Sequence, residues 1–136
     1  MGKTPVGIFE GGCLCGACRY RCSGQAINIR VCHCHRCQKT TGSAFYARVM
    51  VQRRDVEISG PVQWFDAGTK VHRGFCRNCG STLFSHRPAT DTVGLTLGTL
   101  DHPSRFAPTE HIWTASKQPW VQLADGLPQY EEDPPA

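Results

Sequence analysis

The sequence predicts a mainly β domain of short antiparallel strands. Three observations carry this: apolar residues alternate with a period of two, Gly and Pro interrupt the alternation every few positions, and no long amphipathic helical pattern appears. The chain has 136 residues, the length of one domain. That domain is expected over residues 1–130. Residues 131–136, rich in Glu, Asp and Pro, are expected to form a mobile C-terminal tail.

The elements follow in chain order. Residues 19–22 and 27–32 are the first extended candidates, and residues 35–41 read as a turn or two of helix stopped by Gly42. Phe45, Ala47, Val49 and Val51 alternate with Tyr46, Arg48 and Met50, the pattern of a half-buried strand. Shorter strands are expected at 56–59, 62–66, 72–76 and 81–85, with Gly60-Pro61 and Ala67-Gly68 as turns. Val93, Leu95 and Leu97 alternate with Gly94, Thr96 and Gly98 as a further strand. Beyond Leu100 prolines mark a loop-rich part, where Ile112, Trp113 and Trp120 are expected to cover the core.

Seven of the nine cysteines fall into three clusters: Cys13-x-Cys15, Cys32-x-Cys34-x2-Cys37 and Cys76-x2-Cys79. A disulfide across one or two residues strains both the Cα separation and the torsion, so such clusters persist as metal ligands or redox motifs. Residues 1–10 lack the apolar stretch of a signal peptide, and no segment approaches the roughly 18 apolar residues of a membrane helix. Gly2 does not complete a myristoylation motif, because Val6 stands where Ser or Thr is required. The chain is therefore expected to be soluble and cytoplasmic, without a membrane partner. In that reducing compartment cysteine clusters are metal sites more often than disulfides.

Two Zn²⁺ ions per chain are expected. Seven thiolates and two divalent ions would lower the formal charge from +4 to about +1, which weakens any case for a nucleic-acid partner. A patch of Lys70, His72, Arg73 and Arg77 would be the surface for one.

Spacing alone leaves the ligand sets open. Cys13, Cys15 and Cys18 have the same C-x-C-x2-C spacing as Cys32, Cys34 and Cys37, so either cluster can supply three ligands. Gly11, Gly12 and Gly16 allow the first cluster to wrap closely around an ion, and Cys76-Arg77-Asn78-Cys79-Gly80 is a zinc-knuckle half-site that needs two cysteines from elsewhere. Two plus two closes a tetrahedron. Cys32, Cys34 and Cys37 then form a three-thiolate site, unless His33, His35 or His72 supplies a fourth ligand. Cys18 and Cys22 are left over and are expected to behave as small buried hydrophobes, on the same strand face as Tyr20.

Three stretches carry a family resemblance: Gly11-Gly12-Cys13-Leu14-Cys15-Gly16 with Arg19-Tyr20, then residues 32–39 leading to Thr41-Gly42, then residues 75–81. Gly98-Thr99-Leu100-Asp101 and the segment from His111-Ile112 to Trp120 add looser matches. The chain resembles the glutathione-dependent formaldehyde-activating enzymes, also called the centromere protein V/Gfa domain family. The resemblance implies a β-tent fold, a structural zinc on Cys13, Cys15, Cys76 and Cys79, and a catalytic zinc on Cys32, Cys34 and Cys37. It also implies a carbon–sulfur lyase that joins glutathione and formaldehyde as S-(hydroxymethyl)glutathione.

The chemistry of the donor set points the same way. Three thiolates on Zn²⁺ carry a net −1, which makes bound water a poor source of hydroxide, whereas a substrate thiol is a soft ligand that loses its proton on coordination. The expected partners are thus a small thiol, glutathione, and a small aldehyde. Arg36, Lys39 and Arg48 are the candidates for binding glutathione carboxylates, with the N-terminus of the short helix as a further donor. His33 and His35 are candidate proton shuttles or hydrogen-bond partners of the cluster. A structural two-zinc module that binds protein or nucleic acid is the alternative. A redox Cys76-x2-Cys79 is the third reading, disfavoured because residues 80–84 read as a strand rather than a helix.

Overall fold

A computed structural model describes residues 7–135. The reading of Gly2 and Val6, and Ala136 of the expected tail, lie outside the described residues. Among them the elements are β1 (Phe9–Gly12), β2 (Arg19–Cys22), β3 (Asn28–Cys32), α1 (His35–Thr41), β4 (Tyr46–Gln52), β5 (Val56–Ser59), β6 (Val62–Asp66), β7 (His72–Cys76), β8 (Thr82–Arg87), β9 (Thr92–Thr96) and β10 (Glu110–Ile112), with short 3₁₀ turns between. They build a three-stranded sheet, β1-β2-β5, and a seven-stranded sheet, β10-β3-β4-β9-β8-β7-β6. The pairings are antiparallel except that of β10 with β3. The expected mainly β architecture of short antiparallel strands is the observed one, and α1 has the expected ends, with Gly42 as its left-handed cap.

The main core lies between the sheets. Register places Val49 opposite Leu95 and Val51 opposite Val93, and Phe84 opposite Leu95 on the next strand. These side chains are fully buried and cluster with Phe9, Tyr20, Cys22 and Val56 of the small sheet. Each such burial is worth about 1.5–3 kcal/mol. Tyr20 lies edge-on to Phe84 and satisfies its hydroxyl on Thr99 Oγ1 at 2.8 Å. Cys18, Tyr20 and Cys22 all face inward, Cys18 at 1% exposure and Cys22 at 0%, as their alternation predicts.

Several details differ from the sequence reading. β4 is covered on both faces: Val49 and Val51 enter the main core, while Arg48 and Met50 on the opposite face are also buried. On that second face Tyr46 packs into a smaller core with Cys32, Cys37 and Ile112. Leu97 turns out of β9 into a 3₁₀ turn yet still packs on the core. β1 and β10 escape a periodicity test because one is half glycine and the other has three residues. Trp120 is 70% exposed and covers no core, whereas Ile112 is buried. Glu131, Glu132 and Asp133, in the expected tail, all hydrogen-bond to residues 113–115.

Candidate active site

Two groups of thiols are brought together. Cys13 and Cys15 lie in the loop between β1 and β2; Cys76 ends β7 and Cys79 lies in the turn to β8. The four sulfurs fall within 4.8 Å of one another. Gly16 and Gly80, at φ +82° and +78°, make the left-handed turns that let both loops close, and their N–H groups donate to the carbonyls of Cys13 and Cys76. Backbone N–H groups of Cys18 and Cys79 point at the sulfurs of Cys13 and Cys76, at 3.2 and 3.4 Å.

This donor set fits zinc. Tetrahedral coordination with Zn–S bonds of about 2.3 Å demands sulfur–sulfur edges of roughly 3.8 Å. The Cys13–Cys15 and Cys15–Cys76 edges are 3.6 and 3.8 Å.

The second group forms where β3 runs into α1. Cys32 ends the strand, Cys34 caps the helix, and Cys37 follows one turn later, three residues on, so its sulfur returns to the same side. Cys37 N donates to Cys34 Sγ at 3.3 Å, so this helix-start N–H is committed to sulfur rather than to an external anion. The three sulfurs again lie within 4.8 Å. Crowding splits their acidity: hydrogen bonding from Cys32 and then Cys37 pulls the Cys34 thiol down, while the same contact pushes Cys32 up. Three thiols this close cannot all ionise without a cation among them.

Around this group the second face of the large sheet supplies a polar cluster. Cys32 pairs with Tyr46 across β3 and β4, and Arg73 pairs with Ser85 across β7 and β8. Tyr46 Oη and Ser85 Oγ are 3.1 Å apart. Arg73, only 8% exposed, sets its guanidinium over the Tyr46 ring and places Nη2 3.7 Å from Cys37 Sγ. Its Nη1 is buried with no hydrogen-bond partner among the described residues. Arg73 also lines an open cleft of about 390 Å³, together with His35, Arg36, Lys39, Thr40, Phe65 and Ala67.

Arg36 and Lys39 line this cleft, and Arg36 also binds the Ala67 carbonyl across it. Arg48 stands apart. It is buried on the sheet face with Asn28 as its partner, and burial pulls its guanidinium down to about 10. The loss of Arg73 to the interior also leaves the basic patch imagined with Lys70, His72 and Arg77 without its centre.

Neither adjacent histidine joins the sulfurs. His35 is exposed in the cleft. His33 is fully buried and turns its Nε2 to His111 Nδ1 at 2.9 Å, while His111 Nε2 meets Asp125 Oδ2 at 2.7 Å. The carboxylate fixes the protons along this chain: His111 donates to Asp125, and His33 donates to His111. Burial, with His111 next, pulls His33 down to about 4. His33 is then neutral in the fold and protonated in the unfolded chain between about 6.5 and about 4, so its contribution is intact above 6.5 and lost as pH falls through that window. Urea melts across this range should show stability declining toward acid, and an NMR titration should put the His33 midpoint near 4. A midpoint near 6.5 would refute the assignment.

Arg73, Ser85, His111 and Asp125 have no local signal in the sequence that marks them for the site; only the sheet register and the return of the C-terminal part bring them there.

A small β domain with a four-thiol group joining its sheets, and a three-thiol group near a basic cleft, defines a class of cysteine-clustered folds whose sulfurs could hold metal. The chain belongs to the glutathione-dependent formaldehyde-activating enzyme family, whose model matches residues 8–116. Among curated proteins it is similar to an uncharacterized lyase of Schizosaccharomyces pombe, with 32% identity over 76 residues; the match spans 56% of this chain and 56% of the relative. Among solved structures, a Rhodobacter sphaeroides protein has the same fold, with a TM-score of 0.57, 19% identity, and coverage of 89% of this chain and 98% of that one.

Proposed function

We propose that this protein is a zinc-dependent carbon–sulfur lyase, acting in a reducing, cytoplasmic setting, that activates glutathione for addition to a small aldehyde such as formaldehyde, and catalyses the reverse. The observation that carries the reading is the group of Cys32, Cys34 and Cys37, whose sulfurs lie within 4.8 Å of one another with no fourth protein donor among the described residues. Cys13, Cys15, Cys76 and Cys79 would hold a second, structural zinc. At the three-cysteine site, bound zinc would supply a cationic seat that keeps a thiol ionised near neutral pH.

The chain's own residues do the rest. Cys32, Cys34 and Cys37 would hold the ion, Arg73 links Cys37 to the cleft, and Arg36 and Lys39 offer positive charge there to the carboxylates of glutathione. Phe65 gives the cleft an apolar wall. In the forward direction the thiol sulfur bonds to the aldehyde carbon, the carbonyl π pair moves to oxygen, and the proton lost from sulfur is matched by one gained at oxygen. A binding module without activity would need a fourth protein ligand here, and among the described residues neither His33 nor His35 joins the three sulfurs.

The test is titration of the zinc-loaded protein with glutathione, followed by X-ray absorption at the zinc edge, with formaldehyde consumption measured against the spontaneous reaction. Glutathione should raise the mean sulfur coordination, and turnover should exceed background. A full set of protein ligands that glutathione leaves untouched would end the catalytic reading.

A further inference from the structure

Arg73 is the residue whose placement the fold leaves least explained. It is more than nine-tenths buried, yet Nη1 has no hydrogen-bond partner among the described residues. A buried unsatisfied donor is costly, and more so when charged, so such a group is retained where it meets a partner at some stage of function. Nη2 faces Cys37 Sγ at 3.7 Å, the guanidinium face rests on Tyr46, and the hydroxyls of Tyr46 and Ser85 are engaged with each other. The protein thus fixes the plane of the guanidinium from two sides and leaves one fork uncommitted. Because Nη1 shares that rigid plane with Nη2, an oxygen bound to it lies beside the sulfur cluster, and Arg73 also borders the cleft through which a substrate arrives.

We infer that Arg73 is a catalytic residue of this site: its free Nη1 binds the oxygen of the carbonyl electrophile and stabilises the negative charge that develops there as the carbon–sulfur bond forms. The inference rests on the function proposed above. The bookkeeping is simple. The carbonyl π electrons end on the oxygen that Nη1 holds, and that oxygen gains one proton as the thiol loses one. Arg73 donates a hydrogen bond throughout and never its proton, because a guanidinium does not deprotonate near neutral pH. In the reverse direction the same fork holds the hydroxyl oxygen of the adduct while the carbon–sulfur bond breaks. Lysine would carry the charge but not the second, coplanar donor.

The test compares wild type with Arg73→Met, which keeps much of the apolar stem, and with Arg73→Lys. Zinc content and glutathione affinity are measured first, then kcat and KM. A second measurement, independent of turnover, is the calorimetric affinity for glutathione against that for its formaldehyde adduct, formed in excess aldehyde. The adduct preference, meaning the ratio of adduct affinity to glutathione affinity, should be about 10-fold or more higher in wild type than in Arg73→Met, as one charge-assisted hydrogen bond allows, whatever its absolute value, since the adduct's thioether sulfur is a weaker zinc ligand than a thiolate. Arg73→Met should also lower kcat by about 100-fold, with zinc content and glutathione affinity within twofold of wild type. Arg73→Lys should recover only part of the loss. The inference is overturned if the adduct preference survives in Arg73→Met, or if the variant's defect is loss of zinc or of glutathione binding, which would make Arg73 a structural counter-charge for the thiolates. A wild-type protein that binds no glutathione would instead bring down the proposed function, and the role of Arg73 with it.

Discussion

Cys79→Ser should abolish the cooperative fold. The substitution barely changes side-chain volume and Cys79 is only half-buried, so ordinary core damage would be slight. The expected loss comes from the ion. Cys13 and Cys15 belong to the small sheet's first hairpin, while Cys76 and Cys79 belong to the turn between two strands of the large sheet, and Cys15 and Cys76 are 61 residues apart. A metal across them closes a long loop and ties sheet to sheet. Structural zinc is worth about 10–16 kcal/mol in apparent binding energy, whereas a domain of this size has a total stability of about 5–15 kcal/mol. Weakening the site by one thiolate therefore removes an amount comparable to the whole margin. Circular dichroism and metal analysis of the purified variant check this: no cooperative melt, and loss of the metal, are expected. Cys22→Ser is the control, a fully buried thiol outside both groups that should cost only about 1–3 kcal/mol. A Cys79→Ser protein that melts like Cys22→Ser would show that the four-cysteine group holds no metal needed for folding.

Much of this arrangement is local and so was open to reading from spacing. The four extended segments at 19–22, 56–59, 62–66 and 72–76 have the observed bounds because polar and turn residues bracket each of them. The ambiguity between Cys18 and Cys37 is resolved by backbone form. Two intervening residues on a helix bring Cys37 back beside Cys34, but the same spacing entering a strand leaves Cys18 facing the core at 1% exposure.

What stayed hidden is non-local. Arg73 alternates with His72 and Gly74 like any strand residue, and only the antiparallel registers of β7 with β8 and β3 with β4, together with the helix laid against that face, put its guanidinium against Cys37. The His33–His111–Asp125 chain joins residues 78 and 14 positions apart, through a parallel strand too short to announce itself. Arg48 shares the face of Tyr46, beside Ser85 at Gly94, but is buried against Asn28 and does not line the cleft.

Cys37→Ser should have the opposite outcome to Cys79→Ser from the same chemical change. Cys32, Cys34 and Cys37 span one strand end and one helical turn, so a metal among them closes almost no loop and adds little to the global fold. The strand end and α1 are already fixed without it: Gln38 Nε2 donates to the carbonyls of His33 and Ser116, at 2.7 and 3.0 Å, and Ile112, Trp113 and Tyr130 pack beside the sulfurs. The variant should therefore melt cooperatively, at a cost of about 1–2 kcal/mol for the altered buried side chain. It should hold one zinc where the wild type holds two, and its glutathione-dependent turnover should fall by at least about 100-fold, since losing a ligand is more severe than losing a group that orients one. Metal content, a denaturant melt and an aldehyde assay on one preparation read all three quantities. Retention of the second metal would mean that another donor completes the site and that the three-thiol group is structural. Full activity with the metal gone would place the chemistry elsewhere in the molecule. The paired variants thus separate the two roles by stability and by turnover, because loop length, not ligand type, distinguishes the two sites.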